Sequence, residues 1–269
     1  QQRLWIMNQL MGPSAVYNIF SAHRIAGQLD ERALVAAYQQ LLERHQVLRT
    51  RFAVQDGQVV QRIANTFSPL RVATLETEAE LTRHCLAEKQ HTFDLENDEL
   101  IRSTLWRGQH DYVLMVNMHH SVSDGWSLNL FYRELFALYH SYASGKPSAL
   151  PPLALQYGDY AAWQRSPAAV QAQSEQLAYW REELKVLPPL LDLPTDRPRP
   201  TQQTYDGRTF EFAIDVQVAD ALQRLANQQG ASLFMVLMSA FAILINRYTG
   251  QQDFTVGTPV ANRQQHEVE

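Results

Sequence analysis

Met118-His119-His120-Ser121-Val122-Ser123-Asp124-Gly125-Trp126-Ser127 decides how this chain is read, because it leaves one kind of pattern and enters another. Before it, Tyr112 to Met118 is apolar almost without alternation, as in a strand covered on both faces. After it, Leu128, Phe131, Leu135, Leu138 and Tyr142 recur at helical spacing as far as Ser144, ahead of the stop signal Gly145-Lys146-Pro147. Successive strand residues point to opposite faces, so only one of His119 and His120 can look into a given cavity. An imidazole suits proton transfer near neutral pH, its unperturbed pKa being about 6.5. Gly125, at the opening of the helix, allows close backbone approach and offers an N–H where negative oxygen charge is favoured.

Blander readings compete with this one. A His-Asp pair four apart is commonly a loop hydrogen bond, and short motifs recur by chance. Zinc fits poorly, since adjacent strand histidines diverge and no Cys/His set at ligand spacing is present. Cys85 beside His84 makes no dyad, because neighbouring helical residues do not face each other; a buried, inert thiol is expected there.

Working upstream, Ile101 to Trp106 reads as a strand adjacent to the first, across the turn Arg107-Gly108-Gln109-His110-Asp111. Glu76 to His91 reads as a helix. Asp56-Gly57 joins an extended run from Leu48 to Val54 to another from Val59 to Ile63, which predicts a hairpin. Asp30 offers an N-cap to a helix carrying Leu34, Tyr38, Leu41 and Leu42 and ending near Glu43.

Downstream, five of the twelve prolines fall between Pro188 and Pro200, marking an extended connection. Beyond it the pattern predicts a strand over Arg208 to Ile214, helices over Val218 to Gln229 and Ser232 to Arg247, and a strand over Phe254 to Val256. Strands and helices alternate on both sides of the prolines. The class is therefore α/β or α+β in two layers, with divisions at 1–169, 170–204 and 205–269.

Composition bounds the rest. The 269 residues carry 23 basic and 28 acidic side chains, a formal charge of −5, with the basic residues dispersed. That argues against phosphate-backbone binding, so no nucleic-acid partner is expected. Cys85 stands alone, which excludes an intrachain disulfide and points to a cytoplasmic setting. Leu233 to Ile245, the most apolar stretch, is shorter than a bilayer span, and no secretory signal opens the chain, so no membrane partner is expected either.

The HHxxxDG string from His119 to Gly125 resembles the signature of condensation domains of non-ribosomal peptide synthetases, within the superfamily that includes chloramphenicol acetyltransferase. Four further segments agree in the family's order: Gln2-Arg3-Leu4-Trp5, Arg44 to Phe52, Tyr157 to Gln164, and Val256 to Arg263. The resemblance implies a chloramphenicol-acetyltransferase-like N-terminal subdomain, followed by the incomplete start of a second one that ends soon after the fifth motif. It also implies amide formation: the amine of an acceptor attacks the thioester of a donor. Each is delivered on the phosphopantetheine arm of a peptidyl carrier protein, with an adenylation domain in the same assembly line and no cofactor held by the domain itself.

Carried over residue by residue, the resemblance implies His120, Gly125 and Asp124 as the catalytic residues, supported by His119, Arg263, Ser127 and Trp126. It makes Asp124 a buried ion-pair partner of Arg263 whose loss would cost on the order of 3 to 5 kcal/mol. Tyr157 and Trp163 are expected to be packing anchors. The motif strings resemble domains joining an L donor to an L acceptor. Epimerisation domains, starter-type or coenzyme A-dependent acyltransferases, and non-catalytic carrier-binding domains are the alternatives. With the second subdomain incomplete, the polypeptide is expected to be inactive alone and to expose apolar helix faces.

Overall fold

The computed structural model describes residues 1–187, 190–201, 203–205, 207–260 and 263. The chain divides into two compact units, one of residues 1–170 with 261–269, the other of residues 171–260.

The first unit opens with helix α1 (Gln2–Met11), strand β1 (Asn18–Ala26) and helix α2 (Glu31–Arg44). Asp30 caps α2 through its carboxylate, which accepts from the Ala33 N–H at 3.0 Å. After a single 3-10 turn (Gln46–Arg49) come β2 (Thr50–Gln55) and β3 (Gln58–Ile63), an antiparallel pair. Asp56 and Gly57 adopt φ of 51° and 73° between them, the left-handed pair that a two-residue hairpin requires. The extended run foreseen from Leu48 begins instead at Thr50, because Leu48 and Arg49 complete the 3-10 turn.

Next are β4 (Arg71–Thr74), α3 (Glu78–Lys89), β5 (Ile101–Arg107), β6 (Asp111–His119) and α4 (Gly125–Ser144). The main sheet has the order β1-β6-β5-β4. Both neighbours of β6 are antiparallel to it, and β4 runs parallel to β5. On one face of β6, Leu114, Val116 and Met118 pack with Leu34 and Leu41 of α2 and Phe131 and Leu135 of α4. On the other, Val113 and Met115 pack with Trp106 and, from α3, Leu81 and Cys85. Cover on both faces explains why β6 carries an unbroken apolar run. Cys85 is half-buried, and burial pushes its thiol pKa up.

Helix α5 (Tyr157–Gln164) follows, and the division between the units falls within α6 (Pro167–Glu183). In the second unit, α7 (Val216–Gln228) and α8 (Leu233–Thr249) are both capped, α7 by Asp215 and α8 by Ser232 at the start with Gly250 closing it at φ 70°. The strands expected over Arg208 to Ile214 and Phe254 to Val256 are absent among the described residues. Phe210 and Phe212 are 85% and 78% exposed. An alternating pattern becomes a strand only where a neighbour completes its ladder, and neither segment has one here. Part of the proline-rich connection, Pro188 and Pro189, lies outside the described residues, as do Ala261 and Asn262 of the last motif. No single helix among the described residues is long and apolar enough to cross a membrane.

Candidate active site

The last residue of β6 and the one after it part company. His119 pairs with Asn18 of β1 and its side chain lies on the side of Asn117, 1% exposed, edge-on to Phe93 at 6.0 Å. Its Nδ1 lies 2.8 Å from Ser121 Oγ, and its Nε2 has no protein partner among the described residues. Burial, aided by the charge of His120, lowers its pKa to about 4, so it stays neutral near pH 7.

His120, by contrast, is exposed and lines a cleft of about 420 Å³ in the first unit, together with Met118 from the same face of β6. Its own backbone is fixed: the His120 N–H donates to Tyr17 O at 2.7 Å. The ring is thus presented to the cleft from a peptide held beside a central strand.

Asp124 caps α4. Its Oδ1 accepts from the Ser127 N–H and the Ser127 hydroxyl, each at 2.7 Å. Arg263 closes the cluster, its Nη2 donating to Ser127 Oγ at 2.9 Å and lying 3.3 Å from both Asp124 oxygens. Burial raises the Asp124 pKa, but the Ser127 hydrogen bonds and the Arg263 charge outweigh it and hold the carboxyl below its usual range.

The expected partner of Asp124 is present, and only the depth of its burial differs from the expectation. Asp124 pairs with Arg263, as the resemblance implied, and makes no hydrogen bond to His120 among the described residues. Nor is its pair with Arg263 deeply buried, since the side chains are 39% and 22% exposed. Water screens such a pair, so the N-cap is its larger contribution.

Gly125, first residue of α4, is exposed, has no positive φ, and would bring an added Cβ within 4 Å of nothing. The backbone therefore does not require glycine there. Gly125 is not itself among the residues lining the cleft, whereas Ser127 is; Trp126 is 50% exposed.

The Arg44-to-Phe52 motif acts as a clamp. Glu134 of α4, 6% exposed, accepts from Arg44 Nε at 3.0 Å and stands 2.6 Å from His45 Nε2. Burial opposes its ionisation, yet His45 and Arg44 prevail and hold its pKa low. Gln156 ties the same corner to α5: its Oε1 accepts from the Gln46 N–H and its Nε2 donates to Arg44 O. Glu134 escaped the sequence reading because it sits in an otherwise apolar helical stripe. A lone charge at a core position was the available signal. Tyr157 faces the cleft, while Trp163, expected as a packing anchor, is 52% exposed and stacks on Tyr160 at 5.7 Å.

The family profile described as "Condensation domain" matches residues 1–269, the whole chain. The chain belongs to the condensation-domain family. The resemblance carried by its five motifs, to condensation domains of non-ribosomal peptide synthetases, holds. This condensation domain is 43% identical over 278 residues to one of the linear gramicidin synthase proteins of Brevibacillus parabrevis; the alignment covers 100% of the chain but only 4% of that protein. Among solved structures, the X-domain from teicoplanin biosynthesis superposes with a TM-score of 0.80 at 28% identity, covering 91% of the chain and 55% of the X-domain chain. A four-domain non-ribosomal peptide synthetase bound to AMP and glycine gives 0.83 at 23% identity, over 98% of the chain and 20% of that one. The mixed α/β architecture is thus the chloramphenicol-acetyltransferase-like fold of this family.

Proposed function

We propose that this condensation domain forms an amide between two carrier-borne substrates, an L-configured donor and an L-configured acceptor, with His120 at the reacting centre. The observation that carries the reading is the parting of the two histidines, one ring buried and held neutral, the other exposed to the cleft. The acceptor amine attacks the donor thioester carbonyl; the C–N bond forms as the C–S bond breaks. His120 takes the proton lost by the amine and the departing thiolate of the donor's phosphopantetheine arm receives one. Developing charge on the carbonyl oxygen is met by the first amides of α4, left open by Gly125. Upstream and downstream peptidyl carrier proteins and an adenylation domain are the partners this chemistry needs.

The test is amide formation between two loaded carriers by the complete synthetase. Losing a proton-transfer group costs on the order of 100- to 10,000-fold in rate, and His120→Ala should fall in that range. Unchanged turnover would overturn the assignment. Inversion of the donor's α-carbon without amide formation would instead identify an epimerisation domain.

A further inference from the structure

The walls of the cleft say which acyl groups it accepts. Four acidic or basic side chains line it, His45, His120, Asp124 and Arg263. Three of these are already engaged, His45 with buried Glu134 and Asp124 with Arg263, which leaves His120 for the reacting centre. The side-chain amides are engaged as well. Gln1 bonds Ser121 O and Gln61, Gln156 bonds the backbone at Gln46 and Arg44, and Gln164 Nε2 donates to the Tyr160 hydroxyl at 3.1 Å. Between these groups the surface is apolar and bulky: Leu130, Phe131, Leu153 and Leu155 with the rings of Tyr157 and Tyr160, which stand 5.8 Å apart.

A charged side chain entering such a wall would lose water and meet, besides His120, only neutral hydroxyls and groups already engaged, whereas an apolar one would displace water from apolar surface. The volume, about 420 Å³, is that of a site for a small organic group. We propose that this cleft is a selective subsite for an uncharged, bulky apolar side chain, of the leucine or phenylalanine class, on one of the two thioester-borne acyl groups. The inference rests on the amide-forming function above and adds to it the substrate class.

Carriers in the complete synthetase would be loaded from aminoacyl-coenzyme A, so that no activating step selects, with Leu, Phe, Asp or Lys on the donor or the acceptor side. On one side, Leu and Phe should exceed Asp and Lys by on the order of 100-fold in rate. Leu155 is 46% exposed, so Leu155→Lys should fold and narrow the gap between Leu and Asp on that same side by about 10-fold. Equal rates for all four amino acids on both sides overturn the subsite. Binding separates its failure from that of the catalytic reading: N-acetylcysteamine thioesters of Leu and Asp are titrated calorimetrically into the His120→Ala protein. Tighter binding of the Leu thioester sustains the subsite even if no amide ever forms. Equal binding overturns it even if amides do form.

Discussion

Helices α4 and α8 are both long, capped and rich in large apolar residues, yet they end differently. In α4, Phe131, Leu135 and Leu138 are buried against the sheet, and the helix begins at the cleft. In α8, Phe234, Met235 and Ile243 are 58 to 59% exposed and Ile245 alone is buried. Capping and periodicity are local and make a helix in either place. Burial needs a partner surface. The first unit supplies one through its sheet, while α7 and α8 as described leave most of theirs uncovered.

The contrast can be broken by core truncation, which should have the largest effect. Leu135→Ala, at a fully buried position, should lower unfolding free energy by about 3 to 5 kcal/mol in a denaturant titration. Phe234→Ala should change it by less than about 1 kcal/mol. Equal losses would mean that the second unit is as well packed as the first.

Acid should single out the first unit next. His119 has a folded pKa of about 4 against an ordinary value of about 6.5, so the unfolded state takes up the proton first as pH falls. Its contribution is complete above about pH 6.5 and is lost progressively down to about pH 4, amounting to about 3 kcal/mol. His119→Phe should flatten that part of the stability profile, whatever it does to the absolute value. A profile unchanged in slope would show that the ring is hydrated. Glu134 acts lower on the scale: its depressed pKa makes its contribution complete above the ordinary glutamate value of about 4.3, and lost as pH falls through the lower folded value.

Asp124→Ala sharpens the comparison at the hinge of site and scaffold. Removing an N-cap aspartate should cost about 1 kcal/mol in a thermal or chemical melt, well short of the loss for a buried pair. The smallest structural effect belongs to Gly125→Ala. With open space around the added methyl, stability should stay within about 0.5 kcal/mol of the parent. The proposed contact of the reacting carbonyl with the first amides of α4 predicts that amide formation should nonetheless fall.

How much was legible follows the same division between local and shared causes. The β6-loop-α4 segment could be read because strand, cap and helix are written in consecutive residues, and the parity of His119 and His120 follows from the strand alone. The hairpin was legible from Asp56-Gly57. Strand β1 was not, since Asn18 to Ala26 mixes Ser21, His23 and Arg24 among apolar residues and becomes a strand by pairing with β6. Four-residue β4 is likewise made by β5. At the site, the motif marked which residues meet. The pairing of Asp124 with Arg263 was implied by the resemblance, but nothing showed that Glu134 would anchor the corner of Arg44 and His45, because that outcome is set by contacts across the fold.

The hydrogen bond from the His120 amide to Tyr17 uncouples the peptide from its ring at that position. The main chain keeps its course whatever side group it carries, so position 120 is a natural place to install non-proteinogenic imidazoles such as methylated or fluorinated histidine. A series graded in basicity there would yield a Brønsted slope for the proposed reaction without disturbing the scaffold that presents the probe.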